Sequence, residues 1–149
     1  MTAGEICNRE IIVIQRDESV LEAARLMRQY HVGSLIVIDR TGGCAKPVGI
    51  ITDRDLVVEV LATGLDESVV TVGNIMAEEL FTVKENIAIH DTVDFMRSKA
   101  VRRLPVVDAT GELVGILTMN DLLEILSEEI LDFARLIRRG QLKETRQRP

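Results

Sequence analysis

The chain contains one stretch written twice. Ser34-Leu-Ile-Val-Ile-Asp39, followed by Val48-Gly-Ile-Ile-Thr-Asp-Arg-Asp-Leu56, returns as Arg103-Leu-Pro-Val-Val-Asp108 and Val114-Gly-Ile-Leu-Thr-Met-Asn-Asp-Leu122. An internal repeat constrains architecture before any single residue does, because two copies of one unit in a short chain imply two similar bodies related by a pseudo-twofold axis. An offset of 69 positions pairs Gly4 with Gly73, Met27 with Met96, Val32 with Val101, Leu35 with Leu104 and Asp39 with Asp108. Past Asp39 the offset falls to 66, so the first copy carries three extra residues within Arg40–Pro47.

Each copy is about 60 residues, a size at which a lone domain buries too little surface to be comfortably stable. The two copies of this 149-residue chain are therefore expected to share a core. Apolar residues make up 46% of it and aromatics only 3%, so Ile, Val, Leu, Ala and Met must do the packing, as in strands covered by helices.

Each copy reads strand, helix, strand, strand, helix. Ile11–Ile14 is a short apolar strand, and Ser19-Val-Leu-Glu22 has capping-box spacing. Val20, Ala23, Ala24 and Met27 then recur on one helical face, and Gly33 ends that helix. Leu35–Ile38 is a continuous apolar run suited to a strand buried on both faces. Thr41-Gly-Gly43 and Pro47 mark the turn into a third strand, Val48–Ile51, and a second helix runs from Asp53 to near Gly64. In the second copy Ile89, Val93 and Met96 form the helical face, and Asp108-Ala-Thr-Gly111 suits a tight hairpin. The last helix keeps an apolar rhythm through Leu122, Leu126, Ile130, Phe133 and Ile137, with Gly140 as its stop signal. It is too long merely to cover one small sheet, so it is expected to pack against a partner or along a dimer.

Two motifs carry the chemistry: Gly49-Ile-Ile-Thr52-Asp-Arg-Asp55 and Gly115-Ile-Leu-Thr118-Met-Asn-Asp121. Each sets a Thr at the end of a strand and an Asp three residues on. The hydroxyl and the free N–H groups of a helix start favour an anion, and the carboxylate can accept two hydrogen bonds from a vicinal diol. Thr-x-x-Asp is also a plain capping pattern; its recurrence at equivalent repeat positions is what gives it weight.

With these motifs, the Leu104-Pro-Val-Val-Asp108 strand and the Met27 and Met96 helices, the chain resembles a tandem pair of CBS domains, a Bateman module, over about Gly4 to Leu123. The resemblance implies an α+β fold of two βαββα units packed by pseudo-twofold symmetry, with a long C-terminal helix. The units would span 4–64 and 73–126, joined by 65–72 and followed by 127–149. It also implies a regulatory module, often a homodimer, whose clefts take an adenosine compound: AMP, ADP or ATP, or else S-adenosylmethionine or NAD. One cleft would use Thr52 and Asp55 with Ile12, Val13, Gly33, Ser34 and Leu35. The other would use Thr118 and Asp121 with Thr82, Val83, Arg103, Leu104 and Pro105. Gly33-Ser34 faces Arg102-Arg103 in the alignment, so the second cleft is expected to be the better nucleotide site, with Arg54, Arg102 or Arg103 meeting phosphates. Pairing of these arginines with Asp53, Glu112 or other acids is the competing expectation.

Catalysis is not expected. His31 and His90 occupy non-equivalent positions without metal-ligand spacing, and no nucleophile-and-base motif is present. No resident cofactor or metal is expected beyond the regulatory nucleotide. With no attached enzyme, an effector protein would be met in trans; the other reading is an interaction protein whose clefts no longer bind. No apolar run approaches membrane-span length and Met1–Glu10 has no signal pattern, so the expected location is the cytoplasm. Cys7 and Cys44, widely spaced, are expected to stay reduced. Net charge is −6, yet Asp132–Pro149 holds six Lys/Arg against two acids. The acidic body argues against nucleic acid across the fold, and the basic tail reads as a solvated terminus or, alternatively, as a contact for an acidic partner or nucleic acid.

Overall fold

Both copies of the repeat fold to the same three-stranded sheet in the computed structural model, which describes residues 1–77 and 79–148, the side chain of Thr41 excepted. In chain order the elements are α1 (Ala3–Ile6), β1 (Val13–Gln15), α2 (Val20–Tyr30), β2 (Ser34–Thr41), β3 (Cys44–Thr52) and α3 (Asp53–Asp55), which continues as a π-helical turn over Leu56–Leu61. The second half brings α4 (Val72–Ile75), β4 (Val83–Lys84), α5 (Ile89–Lys99), β5 (Arg103–Val107), β6 (Leu113–Thr118) and α6 (Met119–Gln147). The sheets are ordered β1-β2-β3 and β4-β5-β6. In each, the first strand runs parallel to the second across a helical crossover, and β3 returns antiparallel to β2. Met1–Leu117 forms one compact unit and Thr118–Pro149 another.

The central strands carry the core. Leu35, Ile36, Val37 and Ile38 are all buried, as the continuous apolar run requires, and so are Leu104, Val106 and Val107. Full burial of each such side chain stabilises the fold by roughly 1.5–3 kcal/mol. From α2 the core takes Val20, Ala23 and Met27, while Ala24 lies exposed and leaves the expected face. In α5 the buried residues are Thr92 and Met96, not Val93. Thr92 aligns with Ala23 and hides its hydroxyl by donating to the Ala88 carbonyl (3.0 Å), which is how a polar residue fills an apolar position.

Several boundaries differ from the sequence reading, each for a local reason. The first strand begins at Val13 rather than Ile11. The first helix ends at His31, not Gly33: His31 takes a left-handed φ of 54°, as Ala100 does at the equivalent site. The Ser19 box is half formed, with Ser19 accepting from the Glu22 N–H (3.1 Å). The second helix makes one α turn and then widens to π geometry. Gly42 and Gly43, both at positive φ, form a two-residue hairpin, and Pro47 sits in β3 beside a β-bulge, where a missing N–H costs no ladder bond. Gly140 does not stop α6, which continues to Gln147; a glycine weakens a helix interior by about 1 kcal/mol but does not break it.

The two copies are stitched by exchanging their leading segments. α1, which precedes the first sheet, hydrogen-bonds to the second copy: Ala3 N–H to Ile87 O and Gly4 N–H to Glu85 O, both at 2.9 Å. α4, which precedes the second sheet, bonds to the first: Val72 N–H to Glu18 O and Gly73 N–H to Arg16 O, both at 2.8 Å. The exchange fixes the glycines of the two motifs. A methyl added at Gly115 would fall 2.8 Å from the Asn8 carbonyl and against the buried Cys7 Sγ; one at Gly49 would meet Met76 Sδ at 2.7 Å.

Identical residues take different partners in the two copies. Asp39 receives a two-pronged Arg16 guanidinium (3.1 and 2.8 Å). Asp108 cannot, because Glu85 stands at Arg16's equivalent. It instead accepts from the N–H and hydroxyl of Thr110 and the N–H of Glu112, closing the β5–β6 turn. The Thr110 hydroxyl, foremost, holds the Asp108 carboxyl below its usual range.

Gly115→Ala is expected to cost about 1–3 kcal/mol in chemical denaturation, since backbone and a buried thiol must move. Gly140→Ala, with open space around it, gains about 1 kcal/mol of helix stability. Asp108→Ala destabilises at neutral pH. Because the folded carboxyl is depressed, that stabilisation exists above the unfolded pKa and is lost as pH falls through the folded one; the gap to the parent therefore narrows below about pH 4 in a pH series of melts.

Candidate functional site at the Thr-x-x-Asp turns

Both motifs fold as reciprocal caps. Thr52 ends β3 in extended geometry; its N–H donates to Asp55 Oδ2 (2.8 Å) and its hydroxyl accepts from the Asp55 N–H (3.2 Å). Thr118 repeats this with Asp121 at 2.8 and 3.2 Å, and its hydroxyl also donates to Asp121 Oδ2 at 2.7 Å. The capping role is therefore real in both copies. It uses only Oδ2, and among the described residues Oδ1 of each carboxylate accepts no hydrogen bond, leaving one acceptor edge of a half-buried carboxylate open.

Sheet register gathers the first candidate set. Ser34 pairs with Thr52 across β2 and β3, and the Asp53 N–H donates to Gly33 O at 3.0 Å. Val13 pairs with Ile36, whose N–H donates to Ile12 O at 3.2 Å. Ile12, Val13, Gly33, Ser34, Leu35, Thr52 and Asp55 thus stand at one end of one sheet. Leu35 is buried and offers only its backbone. Asp53, not in the sequence-derived set, belongs there: its Oδ2 would lie 3.2 Å from a Cβ on Gly33, so a carboxylate covers the flat backbone that Gly33 leaves. The signal for it was the missing side chain at Gly33, legible only once the register is known.

The second set divides. Thr82, Val83, Arg102, Arg103, Leu104 and Pro105 belong to Met1–Leu117, and Thr118 and Asp121 to Thr118–Pro149. Val83, Leu104 and Pro105 are buried; Arg102 and Arg103 are exposed. Pro105 aligns with Ile36 and has no N–H, so the bond that Ile36 gives to Ile12 O has no counterpart. β4 accordingly pairs one position later than β1 and is a residue shorter. Thr82 and Val83 help line a groove of about 280 Å³ with Lys84, Ile87, Asp91 and Phe95.

Electrostatics separate the two sets. Asp53 and Asp55 give the first an acidic rim beside the exposed Arg54. Arg102 and Arg103 put two exposed cations in the second copy at the positions where the first has Gly33 and Ser34. The competing expectation for the arginines fails: among the described residues no carboxylate lies within 4.0 Å of Arg54, Arg102 or Arg103, and the ion pairs found join other residues.

A groove missed by sequence reasoning, also about 280 Å³, lies between α2 and the π-helical turn, lined by Leu21, Ala24, Leu56, Leu61 and Leu65 among others. It shares no residue with either candidate set. Its signal was the excess of apolar residues in Leu56–Leu61, more than one helical face can bury. His90 is exposed, 3.7 Å from Asp94. No group of three or more His, Cys, Asp or Glu among the described residues could hold a metal, and no described helix is long and apolar enough to cross a membrane.

Comparison with known proteins identifies the family and the fold. The family model described as "CBS domain" matches twice, over residues 3–62 and 72–128. An uncharacterised protein of Methanopyrus kandleri is 36% identical over 125 residues, covering 84% of this chain and 62% of that protein. Hypoxic response protein 1 of Mycobacterium tuberculosis is 33% identical over 137 residues, covering 91% of this chain and 93% of that one. Among solved structures, a CBS domain pair in complex with methylthioadenosine and S-adenosyl-L-methionine superposes with a TM-score of 0.73 at 26% identity, covering 87% of this chain and 98% of the other.

If the cap is the local structural role of the first motif, Thr52→Val costs about 1 kcal/mol in urea denaturation, while Thr52→Ser, which keeps the acceptor, costs little.

Proposed function

We propose, because the chain belongs to the CBS-domain family as a tandem pair of such domains, that it binds adenosine-containing small molecules at its Thr-x-x-Asp turns and passes the bound state to a partner protein in trans. The observation that carries this reading is the open Oδ1 edge of Asp55 and of Asp121, each fixed in place by a cap that uses only Oδ2. Such a carboxylate is positioned in advance to accept from a ribose diol without first breaking an internal bond. Ile12 and Val13 supply an apolar strand edge for a base.

The charge difference assigns ligands. At the first set Asp53 and Asp55 oppose a polyphosphate, so an adenosine compound that is neutral or cationic there, such as methylthioadenosine or S-adenosylmethionine, suits it. Arg102 and Arg103, exposed and with no carboxylate within 4.0 Å among the described residues, favour the phosphates of AMP, ADP or ATP. Signalling then requires only that a ligand prefer one arrangement of the protein over another, in the monomer or in a homodimer.

Calorimetric titration with AMP, ATP, methylthioadenosine and S-adenosylmethionine tests the assignment. Asp55→Ala is expected to weaken methylthioadenosine tenfold or more and spare ATP, whereas Arg103→Ala does the reverse. A ligand at a hundred times its Kd raises folding stability by about 2.7 kcal/mol, a clear shift in a thermal melt. If none of the four compounds binds, the clefts are vestigial and the interaction-protein reading replaces this one.

A further inference from the structure

α6 carries an apolar seam that no described residue buries. Met119, Leu123, Leu126, Ile130, Phe133 and Ile137 follow one another at spacings of four, three, four, three and four, the 3.5-residue period of a left-handed coiled coil. All six are between 43 and 67% exposed, and no residue of the helix is buried. Leu122 and Leu136 widen the stripe. A continuous apolar stripe along a 29-residue helix is an association surface by its size alone.

Its charges say what covers it. From Met119 to Ala134 the helix has five carboxylates, Asp121, Glu124, Glu128, Glu129 and Asp132, and no cation. From Arg135 to Arg148 it has six cations, Arg135, Arg138, Arg139, Lys143, Arg146 and Arg148, and one acid, Glu144. The helix macrodipole explains such a bias only in the first and last turns, and here it runs the full length of both halves. Among the described residues, the sole ion pair across the boundary is Asp132 with Arg135 (3.0 Å), local and exposed.

The geometry points to antiparallel pairing of α6 with the α6 of a second copy of this chain. A helix that is acidic in one half and basic in the other is complementary to itself when reversed: each acidic half lies along the other's basic half, and a twofold axis closes the contact. Parallel pairing would set like charge on like. In the antiparallel register that keeps apolar residues opposed, Ile130 of one copy faces Phe133 of the other and Leu126 faces Ile137, with Gly140 leaving room beside Leu123. The axis then falls next to the change of sign between Asp132 and Arg135. The apolar seam supplies the affinity and the charges choose the direction. This inference is independent of what binds at the Thr-x-x-Asp turns.

Cross-linking of the whole chain decides it. In a Cys44→Ala background, with Cys7 buried, Leu126→Cys and Ile137→Cys chains are treated with a short bis-maleimide separately and mixed in equal amounts. The antiparallel pair gives at least tenfold more linked dimer in the mixture than in either chain alone. Linkage of Leu126→Cys to itself means a parallel pair, and absence of linkage means that α6 docks elsewhere; either overturns the proposal. A chain with Glu124, Glu128, Glu129 and Asp132 changed to Lys, and one with Arg135, Arg138, Arg139 and Lys143 changed to Glu, supply a second arm. Introducing the same cysteines, each reversed chain alone is expected to lose the linkage and their mixture to restore it; linkage at the parent's level in either one alone also overturns the proposal.

Discussion

The reciprocal exchange of α1 and α4 is the constraint on which the rest of the fold depends. Each sheet is built from its own copy, but the short helix that leads each copy is bonded to the other. The N–H groups of Ala3 and Gly4 are satisfied at Glu85 and Ile87, and those of Val72 and Gly73 at Arg16 and Glu18. Unmade, each would leave a buried polar group at a cost of about 1–3 kcal/mol, so the four bonds act together as a two-sided clasp. The same clasp seats Cys7 over Gly115 and Met76 over Gly49, in the strands that end in Thr118 and Thr52. Val72, brought in by the clasp, also joins the core cluster of the first copy, so the clasp and the packing of that core are one problem.

Symmetry in the scaffold coexists with divergence in the side chains, and the divergence is causal. Replacing Arg16 by Glu at the equivalent position frees Asp108 to close a turn. Replacing Ile36 by Pro removes one interstrand bond and delays β4. Replacing Gly33 by Arg102 removes the bare backbone over which Asp53 lies and puts a cation in that place. Membership of the CBS-domain family explains the common frame; these substitutions explain why the two copies differ in charge and in strand register.

Much of this was legible in the amino-acid order. The repeat announced two like units, Leu35–Ile38 announced a strand buried on both faces, and the Thr and Asp spacing announced caps. What escaped had local physical causes. Gly33 looked like a helix stop, but the left-handed turn that closes the helix comes two residues earlier, at His31. Gly140 looked like one because a glycine's penalty is about 1 kcal/mol, too small to end a helix with so many other turns. Val93 and Thr92 are neighbours on a helix, and only packing shows that the threonine hydroxyl folds back to Ala88 and goes inside. The role of Asp53 needed the β2–β3 register, a long-range quantity that no local pattern encodes.

The clasp also orders events during synthesis. The residues that cover the first sheet, Val72 and Gly73, leave the ribosome after the whole first copy has emerged. The residues that α1 must reach, Glu85 and Ile87, emerge later still, and Ile116, the partner of Asn8, later again. Translation therefore cannot finish one half and then the other. α1, made before all of these, is among the last elements to dock, and the nascent first copy must wait, open at one side, until the second has been threaded into view.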